Sequence, residues 1–159
     1  MGSRSKIDLA YIAGFLDGDG SLMIQVKKRK DGRTKTRIML TICFYQDSRH
    51  EKPLYWIRRT LGIGYIFKRN DGITELRING FSQAFWILSN LSPFLKFKKI
   101  QAKAIMKAAG LLMKKKSAAL TKMDLRKLIS CIILVQNENY ATKRKKTKEE
   151  LLKILGLTP

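Results

Sequence analysis

At 159 residues with 45% apolar side chains, the chain is long enough for one packed domain, or one domain with a short helical extension. Its formal net charge of +21, from 33 Lys and Arg against 12 Asp and Glu, points to a polyanionic partner, of which nucleic acid is the commonest. Two cysteines and one histidine exclude a disulfide framework, a zinc set and any multi-histidine metal centre, and no apolar run is long enough to span a membrane.

The first expected element is a helix. Asp8 can cap it, with Ile7 and Ile12 placed for a hydrophobic staple. It runs through Leu9, Tyr11, Ile12, Ala13, Phe15 and Leu16 to Gly18 and Gly20, and its apolar surface on all sides predicts burial on both faces. One stripe is small: Ala10, Ala13 and Gly14, then Asp17. That spacing lets two helix backbones approach closely.

Alternation of period two follows. Leu22, Ile24 and Val26 alternate with Met23, Gln25, Lys27 and Arg29. After a turn at Lys30-Asp31-Gly32-Arg33, Ile38, Leu40, Ile42 and Phe44 alternate with Arg37, Met39, Thr41 and Cys43. This is a hairpin with one core face and one basic, hydrogen-bonding face. A helix around 49–60 accepts Pro53 early. A second hairpin places Tyr65, Phe67 and Arg69 on one face, turns at Asn70-Asp71-Gly72, and returns with Glu75 and Arg77 opposite Leu76 and Ile78. Helices are expected near 81–91, 97–114 and 122–138. Basic Lys143-Arg144-Lys145-Lys146 then leads to a short helix that opens on a capping box, Thr147 with Glu150. Helix, hairpin, helix, hairpin and helices make an α+β fold (αββαββα-like) with a four-stranded antiparallel sheet. Residues 7–140 form the expected domain, and 141–159 a basic linker with its helix. Cys43 and Cys131, both in apolar stretches, read as free core thiols, which implies a reducing, intracellular setting.

Chemistry concentrates in Ile12-Ala13-Gly14-Phe15-Leu16-Asp17-Gly18-Asp19-Gly20. Two carboxylates sit where a buried helix ends and a basic hairpin begins. One reading is a glycine helix cap with solvated aspartates. The other starts from the macrodipole: negative charge at a helix C-terminus is unfavourable, so two aspartates there invite a cation, and hard Mg²⁺ takes carboxylate and carbonyl oxygens.

That nonapeptide, flanked by Tyr11 and Ser21, closely resembles the motif that names the LAGLIDADG homing endonucleases in their single-motif form. The similarity continues in order along the chain. Gly62-Ile63-Gly64-Tyr65 resembles the start of the family's third strand. Gln46 closes the second strand, as a catalytic-centre glutamine does there. Pro93-Phe94-Leu95-Lys96-Phe97-Lys98, followed by Gln101-Ala102, resembles the segment whose second lysine reaches the active site.

The resemblance implies site-specific, metal-dependent hydrolysis of double-stranded DNA. Asp19 would be the metal ligand and the carbonyl of Gly18 its helper, holding Mg²⁺ or a similar divalent ion such as Mn²⁺. Lys98 would offset developing phosphate charge, and Gln46 would position water. A basic residue is also implied about four positions after the glutamine; His50 stands at that spacing and Arg49 precedes it, and either fits. One motif per chain implies a homodimer, with the Ala10, Ala13, Gly14 and Asp17 stripes paired across a two-fold axis so that two Asp19 meet over a roughly palindromic site. The hairpin faces would form a saddle on DNA. Arg29, Arg33, Arg37, Arg69 and Arg77 suit guanine edges or phosphate, Gln25 suits adenine and Glu75 cytosine, with Lys27, Thr41 and Phe67 on the same faces. Relatives of this kind are intron-encoded, in chloroplasts, mitochondria or archaea. The alternative is a relative that binds DNA without cutting, or a maturase that assists splicing of intron RNA.

Overall fold

A computed structural model describes residues 5–30, 36–114 and 120–157. Its first helix, α1 (Lys6–Asp19), begins earlier than expected, because Ser5 rather than Asp8 caps it: the Ser5 hydroxyl accepts the Asp8 N–H at 3.0 Å. Asp8 falls in the first turn instead, where its charge suits the helix dipole. Starting at Lys6 also turns Ile7 outward, to 81% exposure, so it makes no staple with buried Ile12.

A hairpin follows, β1 (Gly20–Lys28) and β2 (Thr36–Asp47), paired from Gly20↔Phe44 to Lys28↔Thr36. The expected turn between them falls largely outside the described residues, and Arg33 with it. A 3₁₀ turn (Ser48–His50) and α2 (Lys52–Leu61), which takes Pro53 in its first turn, lead to β3 (Tyr65–Lys68) and β4 (Ile73–Asn79). Gly72 supplies the positive φ of 81° that the Asn70-Asp71-Gly72 turn requires. β4 returns to the inner side of its hairpin, so the sheet order is β1-β2-β4-β3, antiparallel throughout. Helices α3 (Phe81–Leu91), α4 (Lys99–Lys114), α5 (Lys122–Glu138) and α6 (Lys148–Ile154) complete the chain. The predicted capping box of α6, Thr147 with Glu150, is present.

Even-numbered strand residues form one core with the helices. Leu22, Leu40, Ile42, Phe44, Leu76 and Ile78 join Ile12, Leu16, Leu54, Ile57, Leu88, Leu91, Ile105, Leu128 and Ile132, all buried. Each such side chain contributes about 1.5–3 kcal/mol of burial energy, which fixes the sheet's register, since a slip of one residue would reverse every face. α6 is tied in through buried Leu151 and a hydrogen bond from the Thr36 hydroxyl to the Ile154 carbonyl at 3.3 Å. Among the described residues no helix is long and apolar enough to cross a membrane.

Within one chain α1 is buried on one face only. Leu9, Ile12, Ala13 and Leu16 pack inward, whereas Ile7, Ala10, Tyr11 and Gly14 face outward. Its C-terminal end is pressed against the hairpin. A Cβ on Gly20 would lie 2.5–2.8 Å from atoms of Leu16, so only glycine allows the chain to leave the helix directly into β1.

Candidate active site and nucleic-acid face

The last turn of α1 ends with carbonyls that have no partner inside the helix. The carbonyl of Leu16 accepts the Gly20 N–H, and that of Asp17 accepts the Lys98 ammonium at 2.6 Å. The Gly18 carbonyl accepts no hydrogen bond from a described residue beyond the helix. Beside it stands Asp19, exposed and without a hydrogen bond or ion pair to any described residue.

Asp17 has a different fate. Its carboxylate accepts three successive backbone N–H groups ahead of α4: Lys96 at 2.6 Å, Phe97 at 3.0 Å and Lys98 at 2.9 Å. Partial burial pushes this carboxyl up, but the three donors and the Lys98 charge outweigh it and hold it below the ordinary carboxylate value. Lys98 is buried at 7% exposure. Burial lowers its ammonium pKa, against the opposing pull of the Asp17 and Asp19 charges. Asp19 and Lys98, predicted to act together, thus lie in each other's field.

Gln46 stands at the same end of the sheet. Gly20 follows Asp19 and pairs with Phe44, two residues before Gln46. The Gln46 carboxamide oxygen accepts the Asp47 N–H at 2.9 Å. Arg49 forks onto Asp47, with Nε–Oδ1 at 3.0 Å and Nη2–Oδ2 at 2.8 Å, and this contact holds the Asp47 carboxyl well below the usual range. Arg49 is 82% exposed at its side chain and His50 is also exposed, so both candidates for the basic role lie at the rim.

Among the described residues no three His, Cys, Asp or Glu side chains converge on a metal position. The donors that are available, a free carboxylate and a free carbonyl, are both hard oxygens. They fit an ion such as Mg²⁺, which keeps several waters, better than a nitrogen- or sulfur-bound metal. They also leave the donor set incomplete within one chain.

Odd-numbered strand residues face away from the core. In successive rungs they are Lys27 with Arg37, Gln25 with Met39, Met23 with Thr41 and Asn79, Ser21 with Cys43, Arg77 and Tyr65, and Tyr45 with Glu75 and Phe67. The two halves of this face differ in charge. Lys27, Arg29 and Arg37 on the β1–β2 side make no ion pair with a described residue. On the β3–β4 side Arg69 pairs with Asp71 at 2.5 Å and Arg77 with Glu75 at 2.8 Å. Lys68 points the other way and is bound to Glu51 at 2.8 Å. The Gln25 carboxamide oxygen is buried with no partner, so swinging that amide outward breaks no bond.

Several predicted contacts are differently placed. Thr41 is fully buried, its hydroxyl donating to Asn79 at 2.8 Å, and Asn79 in turn donates to the Tyr65 hydroxyl at 3.3 Å. Glu75 is 4% exposed beneath Arg77. Both lie on the expected face, but as supports for longer neighbours rather than as exposed groups. Phe67 is 53% exposed, as a contact residue must be. Tyr65 is on the face expected for it, whereas Asn79 and Tyr45 escape the sequence reading, although extending the alternation along each strand places them. Cys43 sits on this polar face against Tyr45 and Arg77 rather than in apolar surroundings; burial pushes both its thiol and the Tyr45 phenol up. Of the small stripe on α1, Ala13 is fully buried in its own core and the Asp17 carboxylate is engaged by its own backbone. What α1 offers outward is Ile7, Ala10, Tyr11 and Gly14.

The αββαββ frame, with an acidic helix end beside a buried lysine and an open basic sheet face, can be compared with known proteins. The LAGLIDADG endonuclease family model matches residues 12–108, and the chain belongs to that family. It is 31% identical over 103 residues to DNA endonuclease I-CvuI of Chlorella vulgaris, a stretch that covers 65% of this chain and 64% of that protein. The match to DNA endonuclease I-CreI of Chlamydomonas reinhardtii is also 31% over 103 residues, 65% of this chain and 63% of the other. The aligned stretch is thus less than two thirds of either relative. The crystal structure of I-CvuI with its target in the presence of 2 mM Ca superposes with a TM-score of 0.79 at 28% identity, covering 97% of this chain and 98% of that one.

Proposed function

We propose that this protein is a homing endonuclease: it hydrolyses both strands of DNA at one long, roughly palindromic site, as a homodimer, with a divalent metal. The observation that carries this is the end of α1, where exposed Asp19 makes no hydrogen bond or ion pair with a described residue while the buried Lys98 ammonium, bound to the Asp17 carbonyl, lies within its field. A free carboxylate against the negative end of a helix is unfavourable on its own and becomes favourable once a cation is held there.

Mg²⁺ or Mn²⁺, held by Asp19 and the Gly18 carbonyl, would supply a lowered water pKa and charge stabilisation at the scissile phosphate. The chain's own groups do the rest. Lys98 places a fixed positive charge, partly stripped of water by burial, where the phosphate gains negative charge. Gln46, its oxygen already held by the Asp47 amide, would use its N–H groups to orient a water. Arg49 or His50 lends charge from the rim.

A single chain supplies one such centre, and a duplex needs two. The outward stripe of α1 fits a second copy. Ala10 and Gly14 carry little or no side chain, a Cβ at Gly14 would meet nothing within 4 Å in its own chain, and Ile7 and Tyr11 are exposed apolar groups beside them. Pairing two α1 helices there sets two Asp19 close together and aligns two sheets. The nine residues of β1 span about 30 Å, or roughly 9 base pairs at ~3.4 Å each, so two subunits cover on the order of 20. Gln25, Arg29, Arg37, Arg69 and Arg77 read base edges, and Lys27 with the 143–146 linker contacts phosphate. Residues 7–140 act as the catalytic unit and 141–159 as an extension. An organelle or an archaeal cell is the expected setting.

The test is incubation of the purified protein with a randomised-site DNA library, with Mg²⁺ and with chelator. Selective cleavage of related sequences in Mg²⁺ alone supports the reading; specific retention on DNA or RNA with no cutting in any divalent ion rejects it.

A further inference from the structure

The contacts of Asp17 exceed what a helix start needs. A capping residue commonly satisfies one of the free N–H groups of a first turn. Here both carboxylate oxygens are engaged by three consecutive N–H groups, the last belonging to Lys98, while the main-chain carbonyl of the same Asp17 accepts the Lys98 ammonium at 2.6 Å. One residue of α1 thus grips Lys98 at both ends, backbone through a side chain and side chain through a backbone. The two are 81 positions apart, so no local geometry imposes the arrangement. Lysine carries a flexible four-carbon stem and a point charge with no preferred direction. Left free, its charge would spread over several ångströms; gripped in this way it is fixed relative to the turn that presents Asp19. Phe97, between the gripped amides, is 72% exposed; its ring centroid stands 5.8 Å from the Lys98 Nζ, a weak and solvent-exposed cation–π contact that cannot set the position of the ammonium as the short Asp17 hydrogen bond does.

We propose that Asp17 is the positioning residue for Lys98 in the cleavage step, rather than part of the subunit contact or a simple cap of α4. The inference rests on the reading of Lys98 as the group that meets the scissile phosphate. Asp17 itself touches no substrate.

The experiment is a double-mutant cycle on the intact protein: wild type, Asp17→Asn, Lys98→Ala and the pair. Single-turnover cleavage in Mg²⁺, DNA affinity in Ca²⁺ and thermal midpoints are measured for each. Asparagine keeps the size and one acceptor oxygen but turns an N–H₂ toward one of the three donors. Asp17→Asn is expected to slow cleavage about ten- to a hundredfold, as loss of orientation does, with DNA affinity unchanged. On the Lys98→Ala background it should slow cleavage no further. Multiplying losses in the pair would overturn the inference, as would a parallel fall in affinity and rate. Wild-type cleavage by Lys98→Ala would instead reject the role given to Lys98 itself, a distinguishable failure. Asp17→Glu provides the second variant should Asp17→Asn unfold. It keeps the charge but displaces the carboxylate by one methylene, and a wild-type rate for it overturns the proposal too.

Discussion

Arg77 is the most informative single position on the sheet face, because its removal affects folding and recognition by separate routes. Its Nη2 lies 2.8 Å from the Glu75 carboxylate, with side chains 29% and 6% exposed. Arg77→Ala leaves that carboxylate almost buried and unpaired. Breaking a fully buried pair costs roughly 3–5 kcal/mol, and leaving a buried polar group unmet about 1–3. Because Arg77 is partly solvated, the lower range applies, or a fall in thermal midpoint of about 2–4 °C per kcal/mol for a chain of this size. On DNA, loss of a guanidinium that reads a base costs about 1–3 kcal/mol at matched sites, roughly 5- to 150-fold, and relaxes preference at one position per half-site. Adding Glu75→Gln removes the orphaned charge, so the double variant should recover midpoint but not affinity. Thermal melts and binding isotherms on cognate and scrambled duplexes separate the two. Equal loss on both duplexes would make Arg77 a phosphate contact and refute its assignment as a reader; an unchanged midpoint in the single variant would refute the energetic role of the pair.

Two further outcomes are expected. Gly14→Leu should leave the monomer fold intact, since nothing lies within 4 Å of the added Cβ, yet force two α1 backbones apart and lower DNA affinity and activity together; an unaffected dimer in sedimentation, or a wild-type monomer on DNA, contradicts the contact proposed. If each subunit neutralises about five phosphates, log K should fall with log salt at a slope near −9, and replacing a lysine of the 143–146 linker should flatten it by about 1 for all sequences alike; a slope near −2 would remove the saddle.

Much of this was legible in residue order, and the parts that were not share a physical reason. Alternation in 22–26, 38–44 and 75–78 gave both hairpins and their faces, because burial on one side of a sheet imposes period two. Thr147 with Glu150 gave the last helix through local capping chemistry. Alternation tells which face a side chain takes, but not which long side chain folds over a shorter neighbour. That is why Thr41 and Glu75, correctly placed on the open face, turn out to be covered by Asn79 and Arg77. The start of α1 misled for a local reason: Ser5 and Asp8 are both good caps, and the Ser5 hydroxyl takes the Asp8 N–H, which leaves Asp8 in the first turn. The small stripe on α1 was read without knowing which side the sheet occupies, so Ala13 was assigned outward when it packs inward. The grip of Asp17 on Lys98 lies beyond any local pattern, since 81 residues separate its partners and only the assembled fold joins them.

The central claim is that Asp19 holds the metal that makes cleavage possible. Asp19→Asn keeps the shape of the side chain and loses its charge, at an exposed residue whose carboxylate makes no hydrogen bond or ion pair with a described residue. Cleavage of a cognate duplex in Mg²⁺, alongside binding of the same duplex, should show the variant bound with most of its affinity and both strands uncut. Cutting by Asp19→Asn at the wild-type rate in Mg²⁺ would contradict the account at its root.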